Sequence, residues 1–285
     1  SLSLFGGPIN WPLGFAACFA GIRPADLGLY SLGVFSVTPY RFAALPPDVV
    51  ELERHRAIFP REPTGGTWIS ANDAGVCFAL LNWHRIEDKP KNDTLSRGLV
   101  VKALVAKFTA NGIATALNKL PVRKLRPFRL IAILPRERRV IEWRWNLQRL
   151  AIRNYEWQRQ HWFSSGFDER RAEVERQRVC NAAMVQQSAT SLMSLRQLHR
   201  SHSPKQGPFS ICMHRSDAAT VSYTEVTVSN QRATMRYKSG PSCSNGAKVT
   251  RTISLPGALL YVNPSFTSRS RDVAPEIQKA RRPFD

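Results

Sequence analysis

Gly65-Gly66-Thr67-Trp68-Ile69, then Asn72-Asp73-Ala74-Gly75, then Val76-Cys77-Phe78-Ala79-Leu80-Leu81-Asn82 is the stretch that decides the fold. It reads as strand, tight turn, strand, with a polar amide where the second strand runs out. The paired glycines permit a positive φ or a very close backbone approach. Asn72 to Gly75 is a turn cluster between two apolar runs, which is a hairpin signal. Val76 to Leu81 is apolar throughout, so both faces of that strand are expected to be covered. An amide at the mouth of a buried strand has two N–H donors for an oxyanion or a carbonyl. Asn82 also has the simpler reading of a turn cap.

Working outward, Ala44 to Glu53 reads as a loop leading into a short strand, because Pro46-Pro47 blocks a helix. Ser96 is the expected N-cap of a helix over residues 97–107, and a second short helix is expected over 112–120. Phe128 to Leu134 and Val140 to Trp145 form a strand pair across the turn at residues 136–139. Ser165 or Asp168 starts a long helix whose acidic first turn suits the helix dipole. Gly207-Pro208 breaks the chain, and Phe209 to Met213, Thr220 to Val228 and Ala233 to Tyr237 read as a three-stranded meander. One more strand is expected within Val249 to Val262, followed by a disordered basic tail over 264–285.

The 285 residues suffice for a sizeable core. Hydrophobic content of 43% is ordinary, whereas a formal net charge of +20 favours anionic partners. No RNA-binding aromatic signature, basic zipper or zinc-finger pattern accompanies that charge, so nucleic acid is not the expected partner. Cys18, Cys77, Cys180, Cys212 and Cys243 are odd in number and form no Cys-x-x-Cys pair. That argues against a disulfide framework and for a reducing, cytoplasmic setting. The apolar stretch from Leu13 to Ile22 is too short to span a bilayer, so no transmembrane segment is expected.

The run Ile58-Phe59-Pro60-Arg61-Glu62-Pro63-Thr64-Gly65-Gly66-Thr67-Trp68-Ile69, with Leu80-Leu81-Asn82 and Ser96-Arg97-Gly98, resembles one family. Ser210-Ile211-Cys212-Met213-His214-Arg215 and Thr220-Val221-Ser222-Tyr223-Thr224-Glu225 extend the resemblance, which covers residues 41–243. This is the family named for an Asn-Arg-Asp-Glu motif, which includes the eukaryotic transport and Golgi organisation protein. It is grouped with N-terminal-nucleophile hydrolases. The resemblance implies an α+β fold, a four-layer αββα sandwich with degenerate or replaced N-terminal strands. It also implies cleavage or transfer of an amide-type acyl group. Three stretches follow: an atypical apolar segment over 1–40, the family domain over 41–243, and a basic, partly disordered tail over 244–285.

The chain departs from that family at its beginning. Members begin Met-Cys and carry Asn-Arg-Asp-Glu on the next strand; here residue 1 is Ser1 and no such motif occurs. Three explanations stand: a disrupted or wrongly started reading frame, which is the preferred one; replaced first strands; or the same strands built from other residues. In the implied chemistry the first residue is the nucleophile and its own α-amine handles the proton. Cys18 is the candidate nucleophile, but only if cleavage frees it; Ser1 has nothing of the family around it. The chain is therefore expected to be inactive.

The remaining site candidates follow from the resemblance. Asn82 is assigned the oxyanion role. Thr67 and Trp68 line the same mouth or serve only as packing. Ser165 stands where members often carry a Ser-Asn-Ser segment, with helix capping as its other and stronger reading; Arg215, which follows the expected strand over 209–214, is a candidate contact for an anionic substrate group. His199, His202 and His214, with Cys212, invite a metal reading, but His-x-x-His is not a helical i, i+4 pair and nothing completes the set. No metal and no cofactor are therefore expected. The expected partner is a small-molecule substrate. In the alternative, non-catalytic reading, the resemblance implies an apolar or anionic ligand, with haem or lipid as the examples.

Overall fold

The computed structural model describes residues 17–21, 30–38, 45–52, 54–62, 65–91, 95–157, 160–186 and 192–256. Along these, the strands are β1 (Ala17–Gly21), β2 (Tyr30–Thr38), β3 (Leu45–Leu52), β4 (His55–Arg61), β5 (Ile69–Asn72) and β6 (Cys77–Asn82). Helices α1 (Gly98–Leu104) and α2 (Ala110–Lys119) follow, then β7 (Phe128–Leu134), β8 (Arg139–Trp145), β9 (Leu150–Tyr155) and β10 (Gln160–Trp162). Helices α3 (Glu169–Gln186) and α4 (Leu192–Arg200) lead into β11 (Ala219–Val228), β12 (Arg232–Ser239) and β13 (Lys248–Ser254). The expected tail over 264–285 lies outside the described residues.

The quoted stretch is the β5–β6 hairpin. Asn72 closes it with its whole side chain: Oδ1 accepts from the N–H groups of Ala74 (3.1 Å) and Val76 (3.0 Å). Its Nδ2 donates to the carbonyls of Val105 (2.9 Å) and Lys107 (3.1 Å), pinning the turn to the end of α1. Gly75 sits at φ 74°, a conformation that a Cβ disfavours.

The strands assemble into two antiparallel sheets. One is a plain meander in chain order, β3-β4-β5-β6-β7-β8-β9, with α1 and α2 inserted between β6 and β7. The other has the order β10-β1-β2-β11-β12-β13. A single apolar cluster joins them: Ile69, Ala71, Cys77, Ala79, Leu81, Ile131 and Ile133 from the meander meet Val226, Val228, Met235, Tyr237 and Ile253. The alternate residues Phe78, Leu80, Phe128, Leu130 and Ala132 instead pack with Val100, Leu104, Ile113 and Leu117 of α1 and α2. The apolar run of β6 is therefore covered on both faces, as its composition requires. Cys180 of α3 and Leu195 of α4 pack with Phe163 and Tyr223, next to the six-stranded sheet. The architecture is α+β with helix and sheet layers.

The local expectations meet the structure unevenly. Ser96 Oγ accepts from the Gly98 N–H at 3.2 Å, but the residue at the N-cap of α1 is Arg97, without a side-chain capping bond, and the helix ends at Leu104 rather than 107. Helix α2 starts at Ala110, earlier than expected, because Thr109 Oγ1 caps it by accepting from the Gly112 N–H at 3.1 Å. The Pro46-Pro47 segment is strand rather than loop, since β3 is the edge of its sheet and its register shifts between Leu45 and Asp48. An edge tolerates missing N–H donors. Residues 209–213 form no strand. Ser210 Oγ lies 2.8 Å from the Gly207 carbonyl and 2.7 Å from that of Cys212, close enough for its single proton to serve either, which curls the segment; an isolated bridge pairs His214 with Ala219. No helix among the described residues is long and apolar enough to cross a membrane.

Candidate functional site

Four chain segments converge at one end of the sheets. The two glycine motifs come first. A Cβ on Gly98 would stand 2.9 Å from the Thr67 nitrogen and 3.1 Å from the Gly66 Cα. The Gly-Gly-Thr-Trp and Ser-Arg-Gly motifs thus lie backbone against backbone, tied by the Thr67 N–H to the Gly98 carbonyl at 3.2 Å. That contact fixes where the chain enters β5. The second segment is the end of β6, where Asn82 pairs with Phe128. The third is the exit of β10: Ser164 Oγ donates to the Asn82 carbonyl at 2.7 Å. The fourth is the start of β1, since Ala17 pairs with Trp162 and Cys18 with His161.

Two arginines hold the β10 exit in place. Arg129 Nη1 donates to the Phe163 carbonyl at 3.2 Å. Arg176 Nη1 donates to the Ser164 carbonyl at 2.9 Å, and its other nitrogens reach the carbonyls of Ser210 (3.2 Å) and Pro208 (3.1 Å). Arg129 is itself positioned by Glu142, Nε to Oε1 at 2.5 Å. The other oxygen of Glu142 accepts from Arg144 at 2.8 Å and from the Tyr155 hydroxyl at 2.5 Å. Burial pushes the Glu142 carboxyl up, but Arg129, Arg144 and Tyr155 outweigh it and hold the group below the usual range.

The sequence-derived residues fall as follows. Asn82 is 1% exposed, and neither of its side-chain polar atoms has a hydrogen-bond partner among the described residues. The two-residue period of β6 puts that amide on the face of Phe78 and Leu80, under the α1 layer. Thr67 is wholly buried, and its hydroxyl donates to the Ile69 carbonyl at 2.9 Å. Trp68 lies in the inter-sheet core with Leu81 and Trp162. Ser165 is buried and accepts from the Phe167 N–H at 3.4 Å, the turn that leads into α3. Arg215 stacks over the Phe167 ring at 5.0 Å and pairs with Asp217. Cys18 is placed by its backbone in β1. The backbone of Asn82 is thus tied to Ser164, the neighbour of Ser165, next to the strand pair of β10 with β1, while the Asn82 amide turns toward α1; Thr67 and Trp68 are buried beside the entry to β5, and Arg215 lies over Phe167.

Glu169 is the residue of this region that the sequence reading treated only as a helix-dipole charge. It is nearly buried and accepts from the Arg85 N–H at 2.6 Å. Burial raises its carboxyl against the opposing pull of Arg85, Arg129 and the His84 N–H. Beside it, an open groove of about 650 Å³ runs along α3, lined by Arg85, Arg170, Glu173, Gln177, Arg178 and Asn181.

A second cluster lies where α4 ends. His202 Nε2 and His214 Nε2 are 3.2 Å apart. Cys212 Sγ and Cys243 Sγ stand 3.6 Å and 3.5 Å from the same His214 nitrogen. His199, grouped with these histidines from the sequence, is instead buried against Tyr223, with ring centroids 4.9 Å apart. Cys243 was missed because it is remote in sequence. The β12–β13 loop brings it in: Gly240 N–H bonds the Val221 carbonyl (2.8 Å), while Thr220 N–H bonds that of Met213 (2.9 Å). A meander joining the neighbours of residues 213 and 240 through the start of β11 was the signal available.

Comparison with known proteins gives three findings. Among solved structures, penicillin V acylase from Agrobacterium tumefaciens matches with a TM-score of 0.44 and 12% identity, over 87% of this chain and 93% of that one. A mutant conjugated bile acid hydrolase from Clostridium perfringens matches with a TM-score of 0.46 and 10% identity, over 87% of this chain and 100% of that one. No curated protein sequence matches. The family model described as Transport and Golgi organisation 2 matches residues 57–232, which spans the glycine motifs, both helix layers and β11, and the chain belongs to that family.

Proposed function

We propose that the convergence of β1, β6 and β10 is an amide- or acyl-cleaving site of the N-terminal-nucleophile type, within an αββα sandwich, which is inactive while Cys18 remains inside a longer chain. The observation that carries this reading is the register Ala17–Trp162, which brings the start of β1 to the segment bonded to Asn82. A cysteine at the beginning of β1 is where a terminal thiol and its own α-amine, titrating near ~8, would act together. With residues 1–17 attached, that amine is a peptide nitrogen and no base is supplied.

In this reading Asn82 offers the polar group for the developing oxyanion. A buried amide without a partner carries a desolvation cost that a bound carbonyl would relieve. Because strand alternation turns it toward α1, the substrate carbonyl has to approach over the end of β6. The alternative, a haem or lipid carrier, uses the same end of the sheets without chemistry.

The test is a full chain with a specific protease site placed directly before Cys18, assayed with amide and ester substrates before and after cleavage. Activity should appear only on cleavage and vanish in Cys18→Ala. Asn82→Ala should lower kcat by about 10²–10³. Equal activity in the uncleaved and cleaved chains, or in the Cys18→Ala variant, would remove this reading.

A further inference from the structure

We propose that His202, Cys212, His214 and Cys243 form a structural zinc(II) site, and the proposal is independent of the hydrolase reading. The four ligand atoms lie within 4.8 Å of one another. A tetrahedral zinc with Zn–N of about 2.05 Å and Zn–S of about 2.3 Å has edges of about 3.3 Å between two nitrogens and about 3.5 Å between nitrogen and sulfur. The separations at His214 are 3.2 Å to the His202 nitrogen and 3.6 and 3.5 Å to the sulfurs of Cys212 and Cys243, three of the six edges of the tetrahedron. These three edges fall within about 0.2 Å of the tetrahedral values, and all four donor atoms lie close enough to share one ion.

Hydrogen bonding alone does not account for this arrangement. His214 Nε2 faces a second imidazole nitrogen and two sulfurs at once. One nitrogen with a single proton or a single lone pair serves one such partner well, not three. A cation at the centre serves all four donors together. Two thiolates and two neutral imidazoles balance a divalent charge, and a tetrahedral set of two sulfurs and two nitrogens is the preference of zinc. Four protein ligands leave no open position, so the role is structural rather than catalytic.

The surroundings hold the donors as an outer shell should. Ser242 Oγ donates to Cys212 Sγ at 3.8 Å. Lys238 Nζ donates to the carbonyls of Pro241 (3.0 Å), Ser242 (2.9 Å) and Ser244, fixing the loop that carries Cys243. The site staples three segments: the exit of α4, the irregular stretch 207–214, and the β12–β13 loop. Arg176 bonds the carbonyls of Pro208 and Ser210 and also that of Ser164, so the stapled stretch is tied to the exit of β10.

The experiment uses the full chain, purified without a polyhistidine tag from zinc-supplemented medium, with metal content measured by mass spectrometry. One zinc per chain is expected, with Cys212 and Cys243 shielded from thiol reagents until a chelator is added under denaturing conditions. Cobalt(II) exchanged into the same protein should give sulfur-to-cobalt charge-transfer and tetrahedral ligand-field bands. Zinc should be lost from Cys243→Ser and His202→Ala; the wild-type stoichiometry and cobalt spectrum stand whether or not these variants fold. A metal-free protein that develops no such cobalt bands, a native Cys212–Cys243 disulfide, or full zinc retention in both variants would overturn the assignment.

Discussion

Replacing Glu142 by Gln removes one negative charge from a site that is 0% exposed and leaves its shape almost intact. Both of its oxygens are engaged, one by Arg129 and the other by Arg144 and Tyr155. Arg129 has only 10% of its side chain exposed, so its guanidinium cannot recover the lost pairing from water. Breaking a buried pair from one side costs about 3–5 kcal/mol, most of it the uncompensated charge left behind. For a chain of this size that corresponds to a fall in Tm of about 6–10 °C. Thermal and urea unfolding followed by tryptophan fluorescence would read it. The double variant Arg129→Met with Glu142→Gln should recover part of the loss, because the orphaned guanidinium is then gone. The same network predicts acid lability. A carboxyl whose folded pKa is depressed contributes stability above its unfolded value, about 4.3, and loses it as pH falls through the folded one. A loss below about 1 kcal/mol in Glu142→Gln, the range of an exposed pair, would refute the reasoning.

Two further outcomes follow from buried polar groups. Asn72→Ala strips partners from two backbone N–H groups and two carbonyls at once; a destabilisation of about 3 kcal/mol is expected by urea denaturation, with Asn72→Asp also damaged because it cannot donate to Val105 and Lys107. His199 is wholly buried and its pKa is pushed down to about 3 by desolvation, with a smaller contribution from His161. Between that value and its unfolded pKa of about 6.5 the unfolded chain binds the extra proton, so stability should decrease as the pH is lowered through that window, by up to about 1.4 kcal/mol per unit. His199→Phe should flatten that slope in a pH series of unfolding curves.

What the sequence by itself determined was whatever neighbouring residues decide. The hairpin at residues 65–82, the β7–β8 pair and the β11–β12 pair follow from apolar runs and turn residues, and those signals act over a few positions. The family likewise shows in local motifs, and the backbone contact of Gly66 with Gly98 explains why both motifs need glycine. Only the tertiary structure decided the rest. β3 is strand despite Pro46-Pro47 because it lies at a sheet edge, and the stretch over 209–213 is not strand because Ser210 and the neighbouring loops take its hydrogen bonds. Glu169 gained its raised carboxyl from burial against distant residues. Cys243 reached His214 across 29 positions through the β12–β13 loop. Proximity between residues far apart in the chain is set by strand order and register, and those are chosen by the packing of the two sheets as a whole.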